Sequence, residues 1–338
     1  ISLLSIKFHM ATLNLSNKIL NWYDNNKRDL PWRHPKSKEQ SHYYTLISEF
    51  MLQQTQVKTV IPYFKKFVYE IPNINSLSKV DDRKLLKLWE GLGYYSRAKN
   101  LKRTAKLILK RKKKHLLPDT LKDLKELPGI GDYTSRAILA LEYNRKVIPL
   151  DGNIERLIKR IFYLRKINEI KKENLILKTH LLGYSSRQRD YVQALMELGS
   201  LICKPSDPLC NNCPINNKCA SFKLKDFKIL KKIKSNKVKY FKADIYYGKE
   251  KTFLIKNNKF NFLKNLLIFP MNEIKAIEYN SSKSKKFQIK ISNINMKILI
   301  NKNNKIPNKK GTIVNYNKIG NAIIPSFTKK IFNVALSQ

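Results

Sequence analysis

A glycine-containing turn between two stretches of helical periodicity is the feature that most constrains this chain. Residues 127–134 read Leu-Pro-Gly-Ile-Gly-Asp-Tyr-Thr, and Pro128, Gly129 and Gly131 exclude a regular helix there. From Tyr133 onward, apolar residues recur at helical spacing. Such a turn directs free backbone N–H groups and the positive end of a helix dipole to one side. The pattern predicts a glycine turn before a helix start that can bind a phosphate, and an ordinary helix–turn–helix corner is the alternative.

A second helical stretch, residues 43–67, places a carboxyl group among apolar neighbours, and we expect this stretch to break near Pro62. The apolar neighbours of Glu49 are Leu46, Ile47, Phe50 and Met51. Burial among them would raise the pKa of Glu49, which suits a general acid. A glutamate on the solvent side of a helix is the alternative. Gln54 and Thr55 follow at the helix end, where amides can hydrogen-bond base edges.

The charge balance favours a polyanionic partner. The 338 residues include 68 Lys and Arg against 25 Asp and Glu, a formal net charge of +43, which favours nucleic acid. Abundant lysine, asparagine and isoleucine are also typical of AT-rich genomes, so charge alone leaves the partner open.

No apolar run reaches the ~18 residues of a membrane span. Residues 1–9 lack a signal-peptide cleavage site and are interpreted as read-in or disordered sequence. The expected location is the cytoplasm, with no membrane partner.

The cysteines form one cluster, spaced C-x6-C-x2-C-x5-C. They are Cys203, Cys210, Cys213 and Cys219. Clustered thiols in a chain without a secretory signal favour a metal site over disulfides. Zinc is the general alternative for four cysteines, and the spacing differs from that of ferredoxins.

These motifs together resemble adenine DNA glycosylases of the MutY type, in the endonuclease III superfamily. Residues 127–134, with Asp151 one helix later, match the hairpin and catalytic aspartate of these enzymes. Residues 48–57 match their active-site helix. In Gly-Leu-Gly-Tyr-Tyr, Leu92 and Tyr94 match residues that enter the duplex beside the lesion. The cysteine spacing resembles the family's 4Fe–4S loop.

The resemblance implies a mainly α helix-hairpin-helix glycosylase fold with an iron–sulfur loop, followed by a small, diverged Nudix-like α+β domain. The resemblance implies a catalytic region over 10–222, a basic linker over 223–239 and a lesion-recognition domain over 240–338. Within the catalytic region, it implies a six-helix barrel at about 42–147 and an iron–sulfur module formed by 10–41 and 148–222. Strand-like patterns occur at 240–247, 252–256, 266–270, 287–292 and 296–300, and a last helix is expected near 328–336.

The Nudix-like domain is expected to help recognise 8-oxoguanine. Ser292 matches the serine of the family's Phe-Ser-His loop, but Asn293 stands where the family has histidine. There is no Nudix box, so no pyrophosphatase activity is expected.

The implied reaction is removal of adenine opposite 8-oxoguanine or guanine by a monomer bound to double-stranded DNA. Glu49 would protonate the base and Asp151 would stabilise the positive sugar, while Tyr133 and Asn153 orient Asp151 or the sugar. The four cysteines would hold a 4Fe–4S cluster. The expected DNA contacts are Arg33, Gln54, Thr55, Leu92, Tyr94, Gly129, Gly131, Gln193 and Ser292.

Two alternatives remain open at this point. Endonuclease III uses a hairpin lysine as a Schiff-base nucleophile. The matching position here is Tyr133, and residues 129–137 contain no lysine, which favours a monofunctional glycosylase. The diverged C-terminal part also allows a DNA-binding protein that has lost catalysis.

Overall fold

The structure is a computed structural model that describes residues 15–111, 116–229, 237–248, 250–264, 266–291, 294–308, 310–319 and 324–336. The chain forms two compact units. The first comprises the described residues up to Val80 and from Lys99 to 229, and the second comprises residues 81–98 with the described residues from 237 onward. Within the described residues, no helix is both long enough and apolar enough to cross a bilayer.

Twelve α-helices precede the strands in the described part of the chain. They are α1 (Ser16–Asn26), α2 (Lys38–Leu52), α3 (Val57–Glu70), α4 (Ile74–Lys79), α5 (Asp82–Leu88), α6 (Ser96–Leu109), α7 (Leu121–Lys125), α8 (Asp132–Tyr143), α9 (Gly152–Ile161), α10 (Lys172–Lys178), α11 (Gln188–Glu197) and α12 (Ala220–Lys223). Side-chain caps fix several starts: the Ser37 hydroxyl accepts from the Gln40 N–H at the start of α2, and Asp151 caps α9.

The expected break near Pro62 is wrong. The chain leaves the helical conformation between α2 and α3, where Gln54 has a φ of +59°, and α3 continues through Pro62. Proline removes one backbone donor, but Pro62 lies on the exposed side of its helix, where water can bind the carbonyl left without a partner. The break therefore lies at Gln53–Gln56, immediately beyond Glu49.

The predicted helix-hairpin-helix is confirmed as α7, a short turn and α8. Gly129 has a φ of +85°, and a Cβ at that position would lie 2.8 Å from Cε1 of Phe50 in α2. The Thr104 hydroxyl donates to the Pro128 carbonyl oxygen at 2.9 Å. The hairpin is therefore packed directly against the helix that carries Glu49.

The core beside the cysteine loop joins α1, α9 and α11. Its fully buried side chains include Ile19, Ile154, Ile158, Tyr191 and Leu195. Helix α9 places apolar side chains on one face, as its sequence predicts. Because both ends of α9 are packed in this way, the position of Asp151 at its first turn is fixed.

The second unit contains α5 and, in its described residues from 237 onward, a mixed sheet and three helices. The strands are β1 (Lys237–Gly248), β2 (Lys251–Lys256), β3 (Leu267–Ile268), β4 (Met271–Ile274), β5 (Lys285–Ile291), β6 (Ile294–Asn303) and β7 (Thr312–Asn315), and the helices are α13 (Ala276–Ser281), α14 (Tyr316–Ile319) and α15 (Ser326–Leu336). The order is β3-β2-β1-β6-β5, with β4 also paired to β1 and β7 to β2. Strands β1 and β6 are parallel, and the other pairs are antiparallel.

The expected α+β character of this part is confirmed. Every strand-like pattern overlaps an observed strand, and the last helix is α15. Strands β4 and β7 were not expected, because each has only four residues and forms by pairing with a distant strand. Ser292, with the loop that contains it, lies outside the described residues, so its role stays a prediction.

Candidate active site

One cleft of the first unit contains Glu49, Tyr133, Asp151 and Asn153, the four predicted catalytic residues. Its volume is about 760 Å³, within the range usual for ligand pockets. Glu49 comes from α2, Tyr133 from the first turn of α8 and Asp151 from the start of α9. Three separate helices therefore bring two carboxyl groups and a phenol to the same cavity.

Glu49 is 6% exposed. Its pKa is raised to about 7: burial is the main cause, a hydrogen bond with Tyr133 opposes the rise, and the negative charge of Asp151 adds to it. Oε2 of Glu49 is buried and has no hydrogen-bond partner in the described part of the protein. A carboxyl group in this state holds a proton close to neutral pH and has one oxygen available for a ligand in the cleft.

Tyr133 hydrogen-bonds Glu49 from the helix that follows the hairpin. Burial, and then the nearby carboxylates of Glu49 and Asp151, raise the pKa of Tyr133 well above its ordinary value. The phenol is therefore neutral over the working pH range and acts as a hydrogen-bond donor to an ionised Glu49.

Asp151 has a more polar environment than Glu49. Its Oδ1 accepts from the Ile154 N–H at 2.7 Å, and its Oδ2 accepts from Nδ2 of Asn153 at 2.8 Å. Burial raises the pKa of Asp151, while the donors from Ile154 and Asn153 and the charge of Arg156 oppose that rise. The N-terminus of α9 also favours a negative charge there. These groups stabilise the ionised form.

Arg156 joins this carboxylate to the cysteine loop. It donates to Oδ1 of Asn153 at 2.8 Å, to the Gly199 carbonyl at 2.5 Å and to the Cys203 carbonyl at 2.6 Å. Sequence reasoning missed Arg156, because its partners are up to 47 positions away. The amide that orients Asp151 is thereby tied to the loop.

Sequence reasoning also missed Glu197, which forms a charged wall of the cleft together with Arg28 and Arg33. Glu197 is fully buried, and its Oε1 lies 2.6 Å from Nη1 of Arg33. Its Oε2 accepts from the Arg28 N–H at 3.1 Å, and Trp32 lines the same cavity. The spacing of Gln193 and Glu197 on one face of α11 was the available signal. The wall offers both an acceptor and cationic donors to a bound group.

The predicted DNA-contacting residues are distributed unequally. Arg33, Gln54, Thr55 and Gln193 line the cleft. Nε2 of Gln53 donates to the Gly129 carbonyl at 3.2 Å, which links the end of α2 to the hairpin that contains Gly131.

Leu92 and Tyr94 belong to the second unit. Tyr94 is 42% exposed, as expected for a side chain that meets DNA. Leu92 is 5% exposed, so its side chain is buried here, and its contact with DNA stays a prediction. Its backbone lies on the turn, where its N–H donates to the Trp89 carbonyl at 3.1 Å.

The four cysteines, all unpaired, line one small apolar cavity with Leu157, Ile202, Ile215, Phe222 and other residues. Nη1 of Arg160 lies 3.3 Å from Sγ of Cys203 and can donate to it. Among the described residues, no three histidine, cysteine or acidic side chains are close enough to hold a single metal ion. Four thiols that line one cavity are a ligand set suited to an iron–sulfur cluster and also to a zinc ion.

Sequence comparison identifies relatives over most of the chain. Residues 47–180 match the family model described as HhH-GPD superfamily base excision DNA repair protein. An adenine DNA glycosylase of Buchnera aphidicola subsp. Baizongia pistaciae is 41% identical over 292 residues, which cover 83% of this chain and 81% of that protein. The human adenine DNA glycosylase is 36% identical over 212 residues, or 60% of this chain and 38% of that protein.

Solved structures agree on the fold. A thermostable thymine-DNA glycosylase superposes with a TM-score of 0.54 at 26% identity, covering 62% of this chain and 95% of that one. A trapped endonuclease III–DNA covalent intermediate superposes with a TM-score of 0.50 at 18% identity, covering 62% and 94%. The second likeness is one of fold alone.

Proposed function

The chain belongs to the adenine DNA glycosylase family and is a DNA glycosylase of base excision repair, and from this premise we propose that it removes adenine mispaired with 8-oxoguanine or guanine. One observation carries the proposal. Glu49, with a pKa raised to about 7, shares a cleft with Asp151, whose ionised form is stabilised by hydrogen-bond donors.

In the proposed reaction, Glu49 acts as the general acid. Its proton passes to N7 of adenine, and the electrons of the N-glycosidic bond leave with the base. The sugar becomes an oxocarbenium-like cation, which the Asp151 carboxylate stabilises. A water molecule then adds to C1′, either directly or after a transient ester with Asp151, and its proton returns to Glu49.

Tyr133 and Asn153 would orient the two carboxyl groups. The hydrogen bond from Tyr133 favours ionised Glu49, which lowers the energy of the state reached after proton transfer. The amide of Asn153 holds Oδ2 of Asp151. Neither residue needs to exchange a proton in this reaction.

The charged wall suits the recognition of adenine. Its Watson–Crick edge presents an amino donor and a ring-nitrogen acceptor. The Glu197 carboxylate can accept from the amino group, and Arg28 can donate to the ring nitrogen. Trp32 provides an aromatic surface for the base.

DNA would be held by the hairpin at Gly129 and Gly131, whose backbone N–H groups can bind a phosphate, and by the polar residues of the cleft. Tyr94 would fill the gap that the extruded base leaves in the stack. Leu92 could contribute only after leaving its buried position. The protein would act as a monomer in the bacterial cytoplasm, at the nucleoid.

The cysteine cavity fits a 4Fe–4S cluster held by Cys203, Cys210, Cys213 and Cys219. When bound, the cluster would supply a structural cross-link rather than a reacting group. Lys204, beside the first cysteine, can then approach a phosphate on a fixed loop.

The test is single-turnover release of adenine from a duplex containing A:8-oxoguanine. We expect release by the wild type, a loss of about 10²–10⁴-fold in Glu49→Gln, and a loss of about 10²–10³-fold in Asp151→Asn, which keeps the shape but not the charge. Glu173→Gln, an acid-to-amide change at an exposed position of α10 that does not line the cleft, is the matched control and should release adenine normally.

Duplex affinity should be retained in both catalytic variants. Binding without release by the wild type would indicate a DNA-binding protein that has lost catalysis. Borohydride trapping on DNA that depends on one lysine would instead indicate a bifunctional lyase.

A further inference from the structure

The turn that carries Tyr94 has a strained backbone. Gly91 has a φ of +103° and Gly93 a φ of +71°, and Tyr94 itself has a φ of +47°. Glycine adopts such angles readily, but for a tyrosine the left-handed region costs on the order of 1–3 kcal/mol and persists only where neighbouring groups hold it. Something in the unit must therefore hold Tyr94 in this conformation.

Arg97 is the group that contacts the turn. The side chain is buried, with 7% of its surface exposed. Its Nη2 donates to the Leu92 carbonyl at 2.6 Å and to the Gly93 carbonyl at 3.2 Å. Nε1 of Trp89 donates to the same Gly93 carbonyl at 3.2 Å. Two side chains therefore hold the carbonyl groups that precede Tyr94.

The guanidinium of Arg97 also contacts aromatic rings. Its Cζ lies 5.5 Å from the centroid of Trp89 and 5.8 Å from the centroid of Tyr94. Both distances are within the range of cation–π attraction. Arg97 thus fixes the backbone of the turn and contacts the ring that the turn presents to solvent.

Burial of this cation is unfavourable in itself. It lowers the pKa of Arg97 to about 10, so the side chain remains charged at neutral pH. A buried charge needs groups that compensate for its lost hydration, and the carbonyl groups of Leu92 and Gly93, which accept from Nη2, provide part of this. Lysine could not reproduce this arrangement, because its ammonium group lacks the planar fork of donors.

We propose that Arg97 is a positioning residue that holds Tyr94 ready to enter the DNA stack. The proposal rests on the proposed function of Tyr94 as the side chain that fills the gap. A turn fixed before binding loses less conformational entropy when the ring enters the duplex. Arg97 would therefore favour the extruded state of the base without touching DNA.

The experiment measures base extrusion separately from base release. A duplex with 2-aminopurine at the target position reports unstacking by its fluorescence, and an A:8-oxoguanine duplex reports single-turnover release. We expect Arg97→Lys to lower the extruded fraction and to slow release by about tenfold. Arg83→Lys, an exposed arginine in α5 of the same unit, is the matched control and should behave as wild type.

A double-mutant cycle with Tyr94→Ala shows whether Arg97 acts through Tyr94. We expect Tyr94→Ala to reduce extrusion, and we expect Arg97→Lys to cause little further loss in the Tyr94→Ala background. Losses that multiply in the double variant would overturn the proposal. So would an Arg97→Lys variant with a lower melting temperature and unchanged extrusion, because that is the result of a purely structural role.

Trp89→Phe provides a second variant should Arg97→Lys not fold. It removes the other donor to the Gly93 carbonyl and keeps an aromatic ring, so a smaller loss of extrusion is expected, and wild-type extrusion would count against the proposal.

If the wild type extrudes the base but does not release it, while the coupling between Arg97 and Tyr94 persists, the proposed function fails and this inference stands.

Discussion

Glu49 and Asp151 are chemically similar groups in different surroundings. Glu49 is buried and has one phenolic hydrogen bond, whereas Asp151 accepts from a backbone N–H and an amide at the positive end of a helix. Two such environments give one carboxyl group a proton and leave the other ionised. The sequence indicated both residues through their motifs. The difference between their environments depends on packing that only the fold provides.

The burial of Glu49 predicts a stability effect of Glu49→Gln. The pKa of Glu49 is 4.5 without perturbation and about 7 in the folded protein. The folded state therefore holds the proton more tightly, and ionisation lowers the free energy of unfolding as the pH rises from about 4.5 through about 7. Glu49→Gln removes this effect, so at pH ~8 the variant should be more stable than wild type by as much as about 3 kcal/mol.

Urea denaturation of both proteins at several pH values checks this prediction. The advantage of Glu49→Gln should shrink towards pH ~5, where Glu49 is protonated in the folded protein. A variant that is less stable than wild type at pH ~8 would show that Glu49 is ionised and favourably solvated in its cleft.

At the scale of elements, the hairpin and α2 form one packed assembly. Gly129→Ala should lower the free energy of unfolding by about 1–3 kcal/mol, since φ is +85° and the new Cβ would lie 2.8 Å from the Phe50 ring. Gly131→Ala is the matched control, because a Cβ there meets nothing within 4 Å. Thermal or urea unfolding of the two variants measures this difference. Equal decreases in the free energy of unfolding would be inconsistent with packing of Gly129 against Phe50.

Sequence patterns predicted elements best where local preference and burial agree. The hairpin glycines, the amphipathic α1 and the alternating β5 are examples. The break after α2 was misplaced, since Pro62 was a strong local signal and Gln54 a weak one. Strands β4 and β7 depend on partners distant in the sequence, which periodicity does not reveal.

At the scale of the whole molecule, the cysteine loop and the cleft are parts of one unit, joined through Arg156. The cysteines were evident from their spacing, whereas Arg156 and the buried Glu197 were not, because their contacts are formed between distant segments. Arg156 and Glu197 reach these partners only when α9 and α11 are packed together.

The proposed 4Fe–4S cluster predicts a coloured protein with ~four iron atoms per chain. Visible absorbance and metal analysis of the purified chain would check this. Removal of the iron should lower the melting temperature, because the metal and the fold of its loop are linked. A colourless protein with one tightly bound zinc per chain would instead support the zinc alternative.

The pH dependence of adenine release tests the central claim most directly. With saturating enzyme in a single turnover, the rate constant should fall towards a tenfold decrease per pH unit above about pH 7, as Glu49 loses its proton. It should also fall on the acid side, at a pH above the ordinary aspartate range, because burial raises the pKa of Asp151. A rate constant that stays level or rises from about pH 7 to about pH 9 would contradict the assignment of Glu49 as the acid.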